Sequence, residues 1–278
     1  MLKPRELAEK RLATAEGEGV TEGYYTYVGL TSDEKQIVEA VEVADSNPKV
    51  VGIKMFAGKS VGSLQVLKEE EQRNAYKRLS ELGYTDVLAV HCEKDSMAKM
   101  ELWDPRNPKT WNDARPAEME LASLKDQIRF AKEQDFKGTL HICHISNPDS
   151  VLEVDAARNE LKITCGATPH HLQYSTSDMN GLEGLRYKVN PPLRDPTMSS
   201  RLFSLLKEGK IDWIETDHAP HSQQEKSYVE GKETMSGMPS LASYAEFLRH
   251  LSKNGFTGKQ VADLTYNNIK RVFTKVEE

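Results

Sequence analysis

The residues of this chain able to do chemistry sit at the ends of short apolar runs. Lys54 lies inside VVGIKMF, His91 ends DVLAVH, His141 and His144 share TLHICHIS, and Asp217 opens DHAPH with His221 four residues on. A lysine inside a buried strand needs a partner or a chemical modification, because an unpaired buried ammonium is costly. Imidazole and carboxylate donors suit Zn²⁺ and its first-row neighbours, and such an ion lowers the pKa of bound water to about 7. Each residue also has an ordinary reading. Lys54 would face water if its strand were an edge, a lone histidine is more often a hydrogen-bonded core residue, and Asp217 would serve as a helix cap. His141 and His144 are three apart, so on a strand they face opposite sides and at most one enters a shared site.

The elements that must position these groups alternate. Strands are expected near 24–30, 50–56, 86–93, 139–146, 162–168 and 211–217, with helices near 33–45, 65–82, 116–135, 148–160 and 197–209. Ser32-Asp33 makes an N-cap for the first helix, and Leu124, Ile128 and Ala131 have helical spacing. A polar loop (222–235) and helices near 239–253 and 258–273 follow. Apolar strands alternating with helices predict a parallel sheet with helices outside, either doubly wound or a (β/α) barrel, in one domain over 1–278. In such folds active sites are built at strand C-terminal ends, where Lys54, His91, His144 and Asp217 fall.

Composition excludes several classes. The 278 residues carry 37 Lys+Arg and 43 Asp+Glu, a formal charge of −6 without a basic cluster, which argues against nucleic acid. No run approaches the roughly 18 apolar residues of a membrane helix. The N-terminus has no secretory pattern, and three scattered cysteines (Cys92, Cys143, Cys165) make no disulfide framework, so a cytoplasmic location is expected.

The strings VVGIKMFAG, VHCE, ARPAEME, HICHIS, ITCGATPHHL, YKVNPPLRDP, ETDHAPHS and SGMPSLASY resemble the dihydroorotases, metal-dependent amidohydrolases built on a (β/α) barrel. KVNPPLR favours that family over hydantoinases and allantoinases. The resemblance implies reversible hydrolysis of dihydroorotate to N-carbamoyl-aspartate in pyrimidine synthesis. It implies that Lys54 carries a CO₂-derived carbamate bridging one or two Zn²⁺ ions or another divalent metal. It further implies that His91 and His144 ligate with it, that Asp217 ligates and shuttles a proton, and that Asn190 and His221 contact substrate.

The chain also departs from that family. A His-x-His-x-Arg strand and an Asn-bearing strand would precede residue 1, leaving about six of eight barrel strands, and the family's small β-sandwich is missing. No two of the eight histidines (91, 141, 144, 170, 171, 218, 221 and 250) are two apart. Some relatives carry Glu where Gly166 stands, so that side chain's role is expected to be lost. Three readings stay open: a fragment, a chain completed by a partner or a second copy, and a non-catalytic relative acting as a scaffold for another pathway enzyme. Elsewhere, Trp103 and Trp111 bracket WDPRNPKTW, either a lid or, in preference, surface packing. The cysteines read as small core residues, as do Ile53, Met55 and Phe56. Arg194 is an anion binder or a structural ion pair, and Lys68–Glu71 a solvated helix face.

Overall fold

The computed structural model describes residues 3–20, 22–59 and 64–276; residues 1, 2, 21, 60–63, 277 and 278 of the expected domain lie outside it. Six parallel strands form one sheet: β1 (Thr26–Gly29), β2 (Val50–Ala57), β3 (Val87–Cys92), β4 (Thr139–Ile142), β5 (Ile163–Ala167) and β6 (Trp213–Ile214). Their order in the sheet is their order in the chain, and β1 and β6 are its two edges. The expected barrel architecture is therefore present as an open sheet among the described residues. The helices are α1 (Pro4–Gly17), α2 (Glu34–Ser46), α3 (Glu69–Glu81), α4 (Thr110–Ala114), α5 (Ala117–Glu133), α6 (Pro148–Ala157), α7 (Pro169–Gln173), α8 (Pro196–Lys207), α9 (Tyr244–Lys253), α10 (Gly258–Ala262) and α11 (Asn268–Val272). None is long and apolar enough to cross a membrane.

Local sequence explains the helix starts. Asp33 caps α2 by accepting from Gln36 N (2.9 Å), as expected, and Asn147, Thr168 and Asp195 cap α6, α7 and α8, each followed by Pro. Leu124, Ile128 and Ala131 are buried, and Lys68, Glu69 and Glu70 are solvated.

The pleat sorts the strands into two faces. Ile53, Met55, Leu88, Val90, Cys92, Leu140, Ile142, Ile163, Cys165 and Ala167 pack under the helices. On the other face, Val87, Ala89, Cys143 and Trp213 form a second cluster with Phe273, which stacks edge-on against Tyr27 and Trp213. Cys92 and Cys165 are thus core, as expected; Cys143 is not under the helices. Phe56 is only partly buried and its ring lies 6.0 Å from that of His91, which corrects its assignment to the core. Trp111 is 3% exposed and sits with Met179, Val189 and Leu193 in a third cluster, with Trp103 packed edge-on at 5.0 Å. Surface packing is therefore wrong for Trp111. Arg194 donates to Ser146 Oγ (2.9 Å), Asn112 Oδ1 (3.1 Å) and the Arg115 carbonyl (2.7 Å), so it is structural.

Candidate active site

Lys54 stands on an interior strand, β2, between β1 and β3, so its edge-strand reading is overturned. Its Nζ donates to Cys143 Sγ at 2.7 Å. Burial works against the ammonium, but Cys143, Glu215 and Asp217 outweigh it and leave Lys54 above the ordinary lysine range.

Next on the same face, His91 Nδ1 and His144 Nε2 are 3.1 Å apart. His144 lies beyond the end of β4, at a φ of 39°, so the strand alternation that would separate it from His141 no longer applies. Both histidines reach the same face, against expectation. Positive φ is uncommon for a residue other than glycine and clusters at functional sites. Asp217 shares it, at 42°. Burial holds His91 below the usual imidazole range, with Glu93 pulling the other way, and holds His144 well below it with help from His91 and Lys54. Two neutral imidazoles with facing nitrogens are suited to sharing a cation, and the buried His144 Nδ1 has no hydrogen-bond partner among the described residues. The donor set thus fits a divalent metal.

Sequence reasoning missed what supports His91. Glu93 is fully buried, lies 3.2 Å from His91 Nε2, and is clamped through both oxygens by Arg115. Burial opposes its charge, yet Arg115 and His91 bring its pKa down to about 2. Such carboxylate support orients a ligating imidazole. The signal was the string VHCE, where Glu93 follows His91 by two.

Asp217 is exposed at the rim, yet the protein around its carboxyl raises its pKa to about 6, with Lys54 opposing and Glu215 adding. Glu215, two residues earlier, accepts from the His144 backbone N and lies 3.3 Å from His141 Nε2. A Cβ on Gly166 would lie 2.5 Å from Glu215 Oε1. A carboxylate from the neighbouring strand thus stands where a side chain at Gly166 would be. His141, 1% exposed, is stacked on Trp213 and held by Thr164 Oγ1 at 3.1 Å. Burial opposes its charge, but Glu215 and Cys143 raise it to about 9.

The two expected substrate contacts do not share a cavity. Asn190 Oδ1 accepts from Trp111 Nε1 at 3.2 Å and lines a cavity of about 430 Å³ with Arg115, Lys59 and Ser236. His221 Nε2 lies 3.1 Å from the Ser236 carbonyl and lines a separate cavity of about 400 Å³ with Lys226 and Arg186. His170 and His171, also named from the sequence, are both buried on α7, with His171 near enough to add to the lowering of the His144 pKa.

Comparison with known proteins gives the ancestry. No family model matches the chain. It is 47% identical over 137 residues to a dihydroorotase of Bacillus licheniformis, covering 47% of this chain and 30% of that protein. It is 33% identical over 188 residues to a dihydroorotase of Halobacterium salinarum, covering 67% of this chain and 43% of that protein. Among solved structures, a D-hydantoinase superposes with a TM-score of 0.82 at 20% identity over 97% of this chain and 60% of the other. The L-hydantoinase (dihydropyrimidinase) of Arthrobacter aurescens superposes with 0.77 at 21% over 90% and 56%. By sequence the chain is similar to curated dihydroorotases, by fold it shares the α/β architecture of solved hydantoinases, and it spans less than half the length of the curated relatives it matches.

Proposed function

We propose that this chain is a metal-dependent cyclic amidohydrolase of the dihydroorotase type, interconverting dihydroorotate and N-carbamoyl-aspartate in pyrimidine synthesis. The observation that carries this reading is the His91–His144 contact beside Lys54, with Asp217 at the rim. Lys54 as its carbamate, His91, His144 and Asp217 would hold the metal, Zn²⁺ by the chemistry of the donors. When bound, such an ion polarises the ring carbonyl and supplies hydroxide at neutral pH. Carbamylation turns Lys54 from a buried cation into an anionic oxygen donor. Glu93 and Arg115 hold the His91 ring. Asp217 takes the proton of the attacking water as general base. It then delivers that proton to the leaving ring nitrogen; the reverse transfer closes the ring. Asn190 and His221 would contact the substrate.

A second reading, a subunit without its own catalysis that scaffolds another pathway enzyme, is favoured by the two unpaired sheet edges, β1 and β6. One experiment separates them: the steady-state rate of dihydroorotate ring opening by this chain with Zn²⁺ and bicarbonate. Saturable turnover, reduced about 10²–10⁴-fold in Asp217→Asn, supports the enzyme. No turnover by folded, metal-loaded protein overturns catalysis by this chain alone and leaves a fragment or a non-catalytic subunit.

A further inference from the structure

A group of donors one layer deeper in the same face has no part in the proposed hydrolysis. His141 and Cys143 are two apart on and just past β4, so both project to the inner face. Glu215 reaches them from beyond β6, across β5, because Gly166 leaves its path clear. One ligand atom from each of the three lies within 4.8 Å of the others. We propose that His141, Cys143 and Glu215 form a binding site for a thiophilic divalent cation of the zinc type, separate from the set built on Lys54, His91, His144 and Asp217.

The chemistry of the donors supports it. Imidazole, thiolate and carboxylate are the three protein ligands of Zn²⁺, at about 2.0–2.3 Å from the ion. A tetrahedral shell of that size spaces its ligand atoms by about 3.5 Å, so the three side chains need close by only about 1 Å. A thiolate and a carboxylate neutralise the dication, and the imidazole completes three positions, leaving the fourth for water. His141 is aimed already: Thr164 Oγ1 holds Nδ1 at 3.1 Å, Trp213 stacks on the ring at 4.3 Å, and Nε2 is turned to Glu215. This is the outer support that ligating histidines characteristically have. Lys54 Nζ is the cation now held against Cys143 Sγ. A dication replaces it as counter-charge, and the thiol proton and the proton between His141 and Glu215 are released to water on binding. The site does not rest on the hydrolase reading, since none of its three residues is used there.

The test exploits the sulfur. The Lys54, His91, His144 and Asp217 set contains none, so a thiolate-to-cobalt charge-transfer band in the near ultraviolet reports on this site alone. Metal-stripped protein titrated with Co²⁺ is expected to develop that band. It should vanish in Cys143→Ser, weaken in Glu215→Ala, and persist in His91→Ala. Absence of the band in the unsubstituted protein overturns the proposal, as does its persistence in Cys143→Ser, which would place the metal on Cys92 or Cys165. Should Cys143→Ser fail to fold, X-ray absorption of the Zn²⁺-loaded parent decides. One sulfur at about 2.3 Å supports the site, and a shell of nitrogen and oxygen only overturns it.

Discussion

The carboxylate of Glu215 occupies the space in which a side chain at Gly166 would stand: a Cβ there would lie 2.5 Å from Oε1 and 2.6 Å from Cδ. Two adjacent strands thus share one side-chain volume, and only one of the positions can be filled. Gly166→Ala is expected to destabilise by about 1 kcal/mol, because Glu215 is tethered to His141 and the His144 amide and yields only by losing those bonds. In the Glu215→Ala background the same substitution should cost nothing. Urea denaturation of the two single variants and the double measures this coupling, and additive costs would show that the two positions do not compete.

Acid should weaken the fold through α7. Burial lowers the His171 pKa from 6.5 to about 4, and holds His170 well below the usual imidazole range. Both imidazoles are neutral in the folded chain but take protons near pH 6.5 when unfolded, so the unfolded state binds more protons below that pH. Stability is therefore full above pH 6.5 and falls as pH drops towards 4, His171 contributing at most about 3 kcal/mol of the loss. His171→Gln keeps a donor for the Pro191 carbonyl (2.9 Å) and should flatten the curve in that window. An unchanged slope of unfolding free energy between pH 7 and 4.5 would count against this assignment.

Removing Arg115 should be among the most damaging single changes outside the hydrophobic core. Glu93 would remain fully buried without its guanidinium partner, a situation that costs roughly 3–5 kcal/mol. Arg115→Met is expected to lower the thermal midpoint far more than Arg129→Met, whose ion pairs are surface-exposed. Comparable melting of the two variants would refute the ranking.

Trp111 provides a subtler test of substrate positioning. Its Nε1 donates to the Val189 carbonyl (2.9 Å) and to Asn190 Oδ1 (3.2 Å). Trp111→Phe keeps most of the buried ring and removes the donor, at about 1 kcal/mol. With Asn190 released, KM for dihydroorotate should rise several-fold while kcat changes little. A fall in kcat with KM unchanged would put Asn190 in the chemistry instead.

The sheet was readable from the chain because a parallel strand covered on both sides is a nearly unbroken apolar run, and β2, β3 and β5 are such runs. The last strand was overestimated: IDWIETD yields only the two-residue β6, Trp213–Ile214. Period-two logic failed at His144, whose left-handed backbone no pattern of side chains announces. Gly166 was legible as a gap, but its filling by Glu215 depends on which strands are neighbours. Trp111 looked superficial because its loop is polar, and only the fold brings Val189 and Leu193 over it.

The strand order has a consequence for how the protein comes into being. Since spatial order equals chain order, each new strand of a growing polypeptide can dock on the edge its predecessor left open, with nothing to thread past. The His91–His144 pair can therefore close early, when four strands have been made, whereas Glu215 arrives only with the sixth. Until then β5 is a bare edge open to a foreign strand, and its Gly166 offers no side chain to discourage one.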